Sequence, residues 1–184
     1  MNEGDAFQRA SDDFVEQARN IRSDQWSSST PCTEWDVRAL VNHIAGEWLW
    51  VGELMQGKTI DEVGERLNGD ILGDDPLAKL SEAHRTATAA FNAPRAMEKT
   101  VHLSSGDTNG QDYAQQMVSD SVIHTWDLAR GIGGDETLDP QLVDFACDYF
   151  QKHAEEWRSG GAFAAKKEAT DDSKQAQLIA ITGR

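Results

Sequence analysis

Positive charge is scarce in this 184-residue sequence: 17 lysines and arginines stand against 32 aspartates and glutamates, a formal net charge of −15 at pH 7. The basic residues are scattered among acids and form no patch. Phosphate backbones and anionic lipid surfaces are therefore repelled, which excludes nucleic acid and membrane as partners. Long apolar runs are also missing, and nothing approaches the roughly 20 residues that span a bilayer. The opening MNEGDAFQRA has neither the basic start nor the apolar stretch of a secretory signal, so a cytoplasmic location is expected. Cysteine is sparse. Cys32 and Cys147 fall in different predicted elements and are expected as free thiols, which excludes a disulfide framework.

Helical periodicity is what the sequence has in quantity. Phe7, Ala10, Phe14, Ala18 and Ile21 form a first stripe, followed by the Ser/Thr/Pro-rich turn SDQWSSSTPCTEW. Thr33 is the expected N-cap of a second helix, with Glu34 and Asp36 in its first turn. That helix runs on to Leu54 and carries Val37, Leu40, Val41, Ile44, Trp48 and Val51 along one line. The acidic, Gly-rich connection GKTIDEVGERLNGDILGDDP is long enough to cross the end of a bundle, and it closes on Asp75-Pro76, a cap followed by a first-turn proline. A third helix carries Leu77, Leu80, His84, Ala87 and Phe91. Residues 94–112 read as a loop with one strand, in TVHLS. A fourth helix over about 111–131 stops at Gly131 and Gly133. A fifth, after Pro140, turns Leu142, Phe145, Ala146, Tyr149, His153 and Trp157 inward. The polar loop SGGAFAAKKEATDD then leads to a short apolar piece, QAQLIAI. With 39% hydrophobic residues the chain can bury one sizeable core. The expected architecture is all-α: one domain over 1–184, an antiparallel helix bundle.

The fourth helix breaks its own pattern. Leu128, His124, Asp120, Met117 and Tyr113 lie on one face, so an aspartate and a histidine occupy an otherwise apolar stripe. Burying either without a partner costs several kcal/mol. At a spacing of four, both side chains leave the same side of the helix, and one divalent ion could accept carboxylate oxygen and imidazole nitrogen at about 2.0 to 2.2 Å. A direct Asp–His hydrogen bond in the core explains the same spacing. A third donor is open among His43, His84 and His153, each on or beside an apolar stripe, and periodicity does not choose between them. Glu47, one turn after His43, is a further candidate as ligand or as acceptor for an imidazole N–H. Cys32 reads as a small residue in a tight turn, and Trp35, Trp48, Trp50 and Trp126 as core residues rather than a stacking platform.

TPCTEWDVRALVNHIAG (residues 30–46), GDILGDDP (69–76), VIHTWDLARGIG (122–133) and the closing LIAITGR occur in the order seen in one family. Over nearly its whole length the chain resembles the DinB-like, mycothiol-dependent maleylpyruvate isomerase N-terminal domain family. The resemblance implies a DinB-like four-helix bundle with additional C-terminal helical elements. It also implies a divalent metal held by His43, Asp120 and His124, with Asp120 standing where the family often has glutamate. Zinc is the expected ion, with nickel and iron as alternatives. Three protein ligands leave a position open, as in catalytic rather than structural zinc sites. The implied chemistry uses a low-molecular-weight thiol such as mycothiol as co-substrate and transfers its sulfur to a small electrophile. A homodimer is compatible with the resemblance. The isomerase carries a further C-terminal domain and this sequence stops at Arg184, so the expectation is an S-transferase rather than an isomerase. The alternatives carried forward are a non-catalytic metal-binding or regulatory bundle and a non-haem iron enzyme built on the same three residues.

Overall fold

The computed structural model describes residues 1–161 and 164–184. Two positions of the polar loop expected before QAQLIAI, 162 and 163, lie outside the described residues.

Four long helices enclose the core: α1 (Glu3–Arg19), α2 (Val37–Leu54), α4 (Pro76–Phe91) and α5 (Gly110–Ile132), with the short α3 (Ile60–Val63) between the second and third of them. The stripe predicted for α1 is the buried one, and Phe7 and Phe14 meet Trp48 of α2 edge-on at ring-centroid distances of 6.1 and 5.7 Å. Contacts at the helix ends fix the directions. Glu3 accepts from Gln111 and Gln115 at the start of α5, and Gln17 donates to the Asp135 carbonyl just beyond its end, so α1 and α5 run parallel. Arg38, early in α2, binds Asp70 and the Gly73 carbonyl just ahead of α4, and Gly52, late in α2, lies against Thr86, late in α4. These two also run parallel. The pairs oppose one another: Gly131, late in α5, sits against Val37 at the start of α2, and Phe91, ending α4, packs on Phe7 early in α1.

Parallel neighbours cannot be joined by a tight turn. The connection from α2 to α4 must return along an 18-residue helix, about 27 Å at 1.5 Å per residue. It therefore runs the length of the bundle rather than across its end, the path expected from sequence. It does so through α3 and a 3-10 turn over Gly64–Leu67, and Asn42 holds its far part by donating to the Gly69 carbonyl and accepting from the Ile71 N–H.

Two other local expectations are corrected. Asp36, not Thr33, caps α2, accepting from the Ala39 N–H at 2.8 Å, so Glu34 and Asp36 lie outside the first turn. The reason is non-local: Val37 and Arg38 donate their N–H groups to the Ser28 and Trp26 carbonyls and Ser29 bridges Asp36, which keeps the chain extended up to that point. Residues 94–112 hold a hairpin rather than one strand. β1 (Thr100–Leu103) pairs antiparallel with β2 (Gly106–Asn109), Thr100 opposite Asn109. Outside the four helices, α6 (Pro140–Ser159) packs on α5 and α7 (Lys174–Ile181) packs on α6. Among the described residues no helix is long and apolar enough to cross a membrane.

Candidate metal centre

α5 stops where Gly133 adopts a left-handed conformation (φ 68°), and upstream of that cap the helix is buried on nearly every side. Asp120 and His124 lie a turn apart on it, and His43 reaches them from the opposing α2. His43 Nε2 is 3.4 Å from Asp120 Oδ2, His124 Nε2 is 3.4 Å from Asp120 Oδ1, and the imidazole rings are 5.1 Å apart. Donor atoms of the three residues all lie within 4.8 Å of one another. Trp35 covers the histidines, its ring 4.5 Å from that of His43 and 5.7 Å from that of His124.

The other nitrogen of His124 decides what the first one can do. Nδ1 lies 2.9 Å from Asp127 Oδ2, and Asp127 is fully buried. Burial alone would push the Asp127 carboxyl up, but His124 and then Arg184 outweigh it and hold the group below the usual carboxylate range. An ionised carboxylate only accepts, so Nδ1 is the protonated nitrogen of His124. In the neutral ring Nε2 then carries a lone pair, and that lone pair faces the Asp120 carboxylate. His43 Nε2 is buried without a hydrogen-bond partner, because its approach to Asp120 is too long and poorly directed to count as one. Two imidazole nitrogens and a carboxylate thus converge on one spot. Without a metal, the charge has to come from a proton: burial would lower the His124 imidazole, but Asp120 and then Asp127 and Cys32 raise it well above its ordinary value. Asp120 is correspondingly held far below its own, against burial, by His124 and then His43.

The donor set fits a divalent ion. Ligands about 2.1 Å from a tetrahedral centre stand about 3.4 Å apart, and each imidazole nitrogen lies 3.4 Å from its own nearer Asp120 oxygen, with all three donors within 4.8 Å of one another.

The mycothiol maleylpyruvate isomerase N-terminal domain family matches residues 7–129, which include all three of these residues. The chain belongs to that family. Two uncharacterized Mycobacterium tuberculosis proteins, from strains H37Rv and CDC 1551, are each 34% identical to it over 142 residues, 75% of this chain and 71% of theirs. The crystal structure of the mycothiol-dependent maleylpyruvate isomerase superposes with a TM-score of 0.66 over 89% of this chain and 72% of that one, at 13% identity. A histidine-to-alanine variant of that enzyme gives the same TM-score at 12% identity. At such identity these structures carry the fold alone, and the all-α, DinB-like bundle is that fold.

Within this member of the family the remaining polar candidates separate. His84 lies 3.1 Å from Asp12 and beside Trp48, and His153 stacks on Tyr149 at the edge of α6 with Glu156 3.6 Å away. Neither joins the cluster. Glu47 lies close enough for its charge to couple to His43, Asp120 and His124, yet among the described residues it belongs to no converging set of donor atoms. The acceptor for the His124 imidazole N–H is Asp127, not Glu47. Cys32 is more than a turn residue: its Sγ is 3.2 Å from Asp127 Oδ2 and 3.9 Å from His124 Nδ1. Both cysteines are free, as expected. Trp48 and Trp126 are buried, as their spacing suggests, whereas Trp35 is half-buried over the histidines.

Sequence reasoning missed Asp127 and Arg184. The spacing of Asp120, His124 and Asp127, four then three residues, puts all three on one helix face, so the first was legible. Arg184, which donates from Nη2 to Asp127 Oδ2 at 2.9 Å, comes from 57 residues downstream and was not. Arg184 also forms part of the wall of a cleft of about 560 Å³ between α5, α7 and the 29–31 turn. That cleft is not centred on the histidines.

Proposed function

We propose that this family member holds a divalent metal ion with His43, Asp120 and His124, and uses it in the transfer of a low-molecular-weight thiol of the mycothiol type to small electrophiles. The observation that carries the reading is the convergence of two imidazole nitrogens, one of them buried without a hydrogen bond, on a buried carboxylate. Zinc suits two nitrogens and one oxygen, with nickel or iron as alternatives. When bound, such an ion is a Lewis acid that favours the thiolate form of an approaching thiol near neutral pH. The chain's own residues do the rest. Asp120 supplies the negative charge that retains a dication, Asp127 fixes the His124 tautomer, and Trp35 packs against the His43 ring. Family membership supports the thiol, since the solved relative is named for its dependence on mycothiol. A cytoplasmic location, where small thiols are kept reduced, is part of the same reading, as is a single domain over residues 1–184.

The test is metal content of untagged protein, followed by thiol binding to the cobalt-substituted form. About one equivalent of zinc in the wild type, lost in His43→Ala, together with a thiolate charge-transfer band when mycothiol is added, supports the reading. Protein that neither retains nor takes up a divalent ion overturns it. A second reading has the same geometric support: two histidines and one carboxylate also make the facial triad of non-haem iron enzymes. Iron-dependent oxygen uptake by the reconstituted protein would favour that chemistry, and its absence would remove it.

A further inference from the structure

The side of His124 facing away from Asp120 is built as carefully as the side facing it. Asp127 Oδ2 lies within 2.9 Å of His124 Nδ1, 3.2 Å of Cys32 Sγ and 2.9 Å of Arg184 Nη2, and Arg184 Nε lies 3.2 Å from both Asp127 oxygens. The Arg184 side chain is itself only 8% exposed. Its Nη2 also reaches Cys32 Sγ at 3.1 Å and its Nη1 the Thr182 carbonyl at 3.1 Å. The chain is led to this position by the end of α7. Arg158 of α6 donates to the Ile181 carbonyl at 2.7 Å, and Gly183 turns with φ 78° at a point where a Cβ would stand 2.8 Å from the Ala164 carbonyl oxygen. Only glycine fits there without strain.

From this we infer that Arg184 is a positioning residue for the metal centre: by clamping the Asp127 carboxylate it fixes the orientation and tautomer of His124, so the segment after α7 governs how tightly His43, Asp120 and His124 hold an ion. The inference rests on the metal reading given above. A guanidinium is suited to the task because its N–H groups form a rigid fork that engages both carboxylate oxygens, whereas an ammonium is a point charge and leaves the carboxylate free to turn. Hydrogen-bond partners behind a metal-bound histidine typically change metal affinity 10–100-fold when removed. Here the partner is anchored in turn, and its anchor lies in the segment after α7, away from the helix that carries Asp127.

The experiment measures zinc dissociation constants by competition with a chromophoric chelator, on the full chain, for the wild type, Asp127→Asn, Arg184→Met, Arg184→Lys and the double variant Asp127→Asn/Arg184→Met. Asp127→Asn is expected to weaken zinc about 10–100-fold and Arg184→Met about tenfold. Arg184→Lys should recover only part of that loss. The double variant should bind no more weakly than Asp127→Asn alone, because both changes act on one chain of contacts. Circular dichroism and thermal melting accompany each variant. Should Asp127→Asn fail to fold, Arg184→Met and Arg184→Lys decide the matter. If Arg184→Met binds zinc as tightly as the wild type while His43→Ala loses it, the positioning role is overturned and the metal reading stands. A wild type that binds no divalent ion overturns both.

Discussion

His124 and His84 are the same residue type on two core helices, each within about one hydrogen bond of an aspartate, yet the surroundings give them opposite characters. His84 lies 3.1 Å from Asp12, whose side chain is 55% exposed, and burial outweighs that partner to hold its imidazole below the ordinary value of 6.5. Water can reach Asp12, so His84 can remain neutral at little cost. His124 lies between two buried carboxylates, which raise its imidazole well above the ordinary value despite burial. The contrast shows that a buried imidazole nitrogen lacking a hydrogen bond does not by itself mark a metal site, since His84 Nε2 lacks one as much as His43 Nε2 does. What distinguishes the His43–His124 pair is convergence: imidazole nitrogens from two helices close on one buried carboxylate, each 3.4 Å from one of its oxygens.

The sharpest way to break that contrast is to truncate each histidine. His124→Ala is expected to abolish zinc retention and to destabilise the metal-free protein by about 3–5 kcal/mol, because it leaves buried charge without its partner. His84→Ala should keep full zinc content and cost no more than about 1–2 kcal/mol, the worth of a half-buried side chain with a solvated partner. Metal analysis and urea unfolding of the two variants check this. Equal zinc content in both would make the two histidines equivalent and remove the basis for distinguishing them.

A smaller effect sharpens the comparison through pH, in metal-free protein. The folded value of His124 lies above 6.5, so its contribution to stability is complete below 6.5 and fades as pH rises through the folded value. Asp120 is held below its ordinary 3.8, so its contribution is complete above 3.8 and fades as pH falls through the folded value. Together they stabilise most between 3.8 and 6.5. His84 has the opposite sign: its folded value lies below 6.5, so it costs stability as pH falls below 6.5. The loss caused by His124→Ala should therefore be larger at about pH 5.5 than at about pH 8, and the loss caused by His84→Ala smaller at the lower pH. Unfolding curves at the two pH values test both slopes at once.

The same contrast marks how far the sequence could be read. Apolar periodicity located the four core helices because α1, α2 and α4 each bury an apolar stripe and α5 carries one within its wider burial, and such a stripe is a local property of the chain. It identified Asp120 and His124 as anomalies for the same reason. It could not rank His43, His84 and His153, because the ranking depends on which helices face one another, and only resemblance to a family supplied that. The α2 cap was misplaced by three residues because Thr33 and Asp36 are both good caps, and the choice is made by hydrogen bonds to Trp26 and Ser28 in the preceding loop. The second strand, GDTN, has no apolar alternation to betray it and is paired through its neighbour. Arg184 was invisible for a stronger reason: nothing near it in the chain is charged, and its partner is brought to it by two intervening helices.

Glu47 gives the finest test, because it stands between the two cases. It lies one turn past His43 on α2, half-buried, and burial followed by the Asp120 charge pushes its carboxyl up against the opposing pull of His43 and His124. It therefore senses the centre without being among the atoms that close on it. If it is a bystander to metal binding, Glu47→Gln, which keeps the size of the side chain, should leave zinc stoichiometry unchanged and affinity within about threefold, against the 10–100-fold that removal of a close supporting group costs. A zinc-binding titration on this one variant makes the distinction. Retained affinity keeps a coordination position open for a thiol, as the transferase reading requires. Loss of zinc would make Glu47 the fourth ligand, close the site, and turn the same three residues into part of a structural centre.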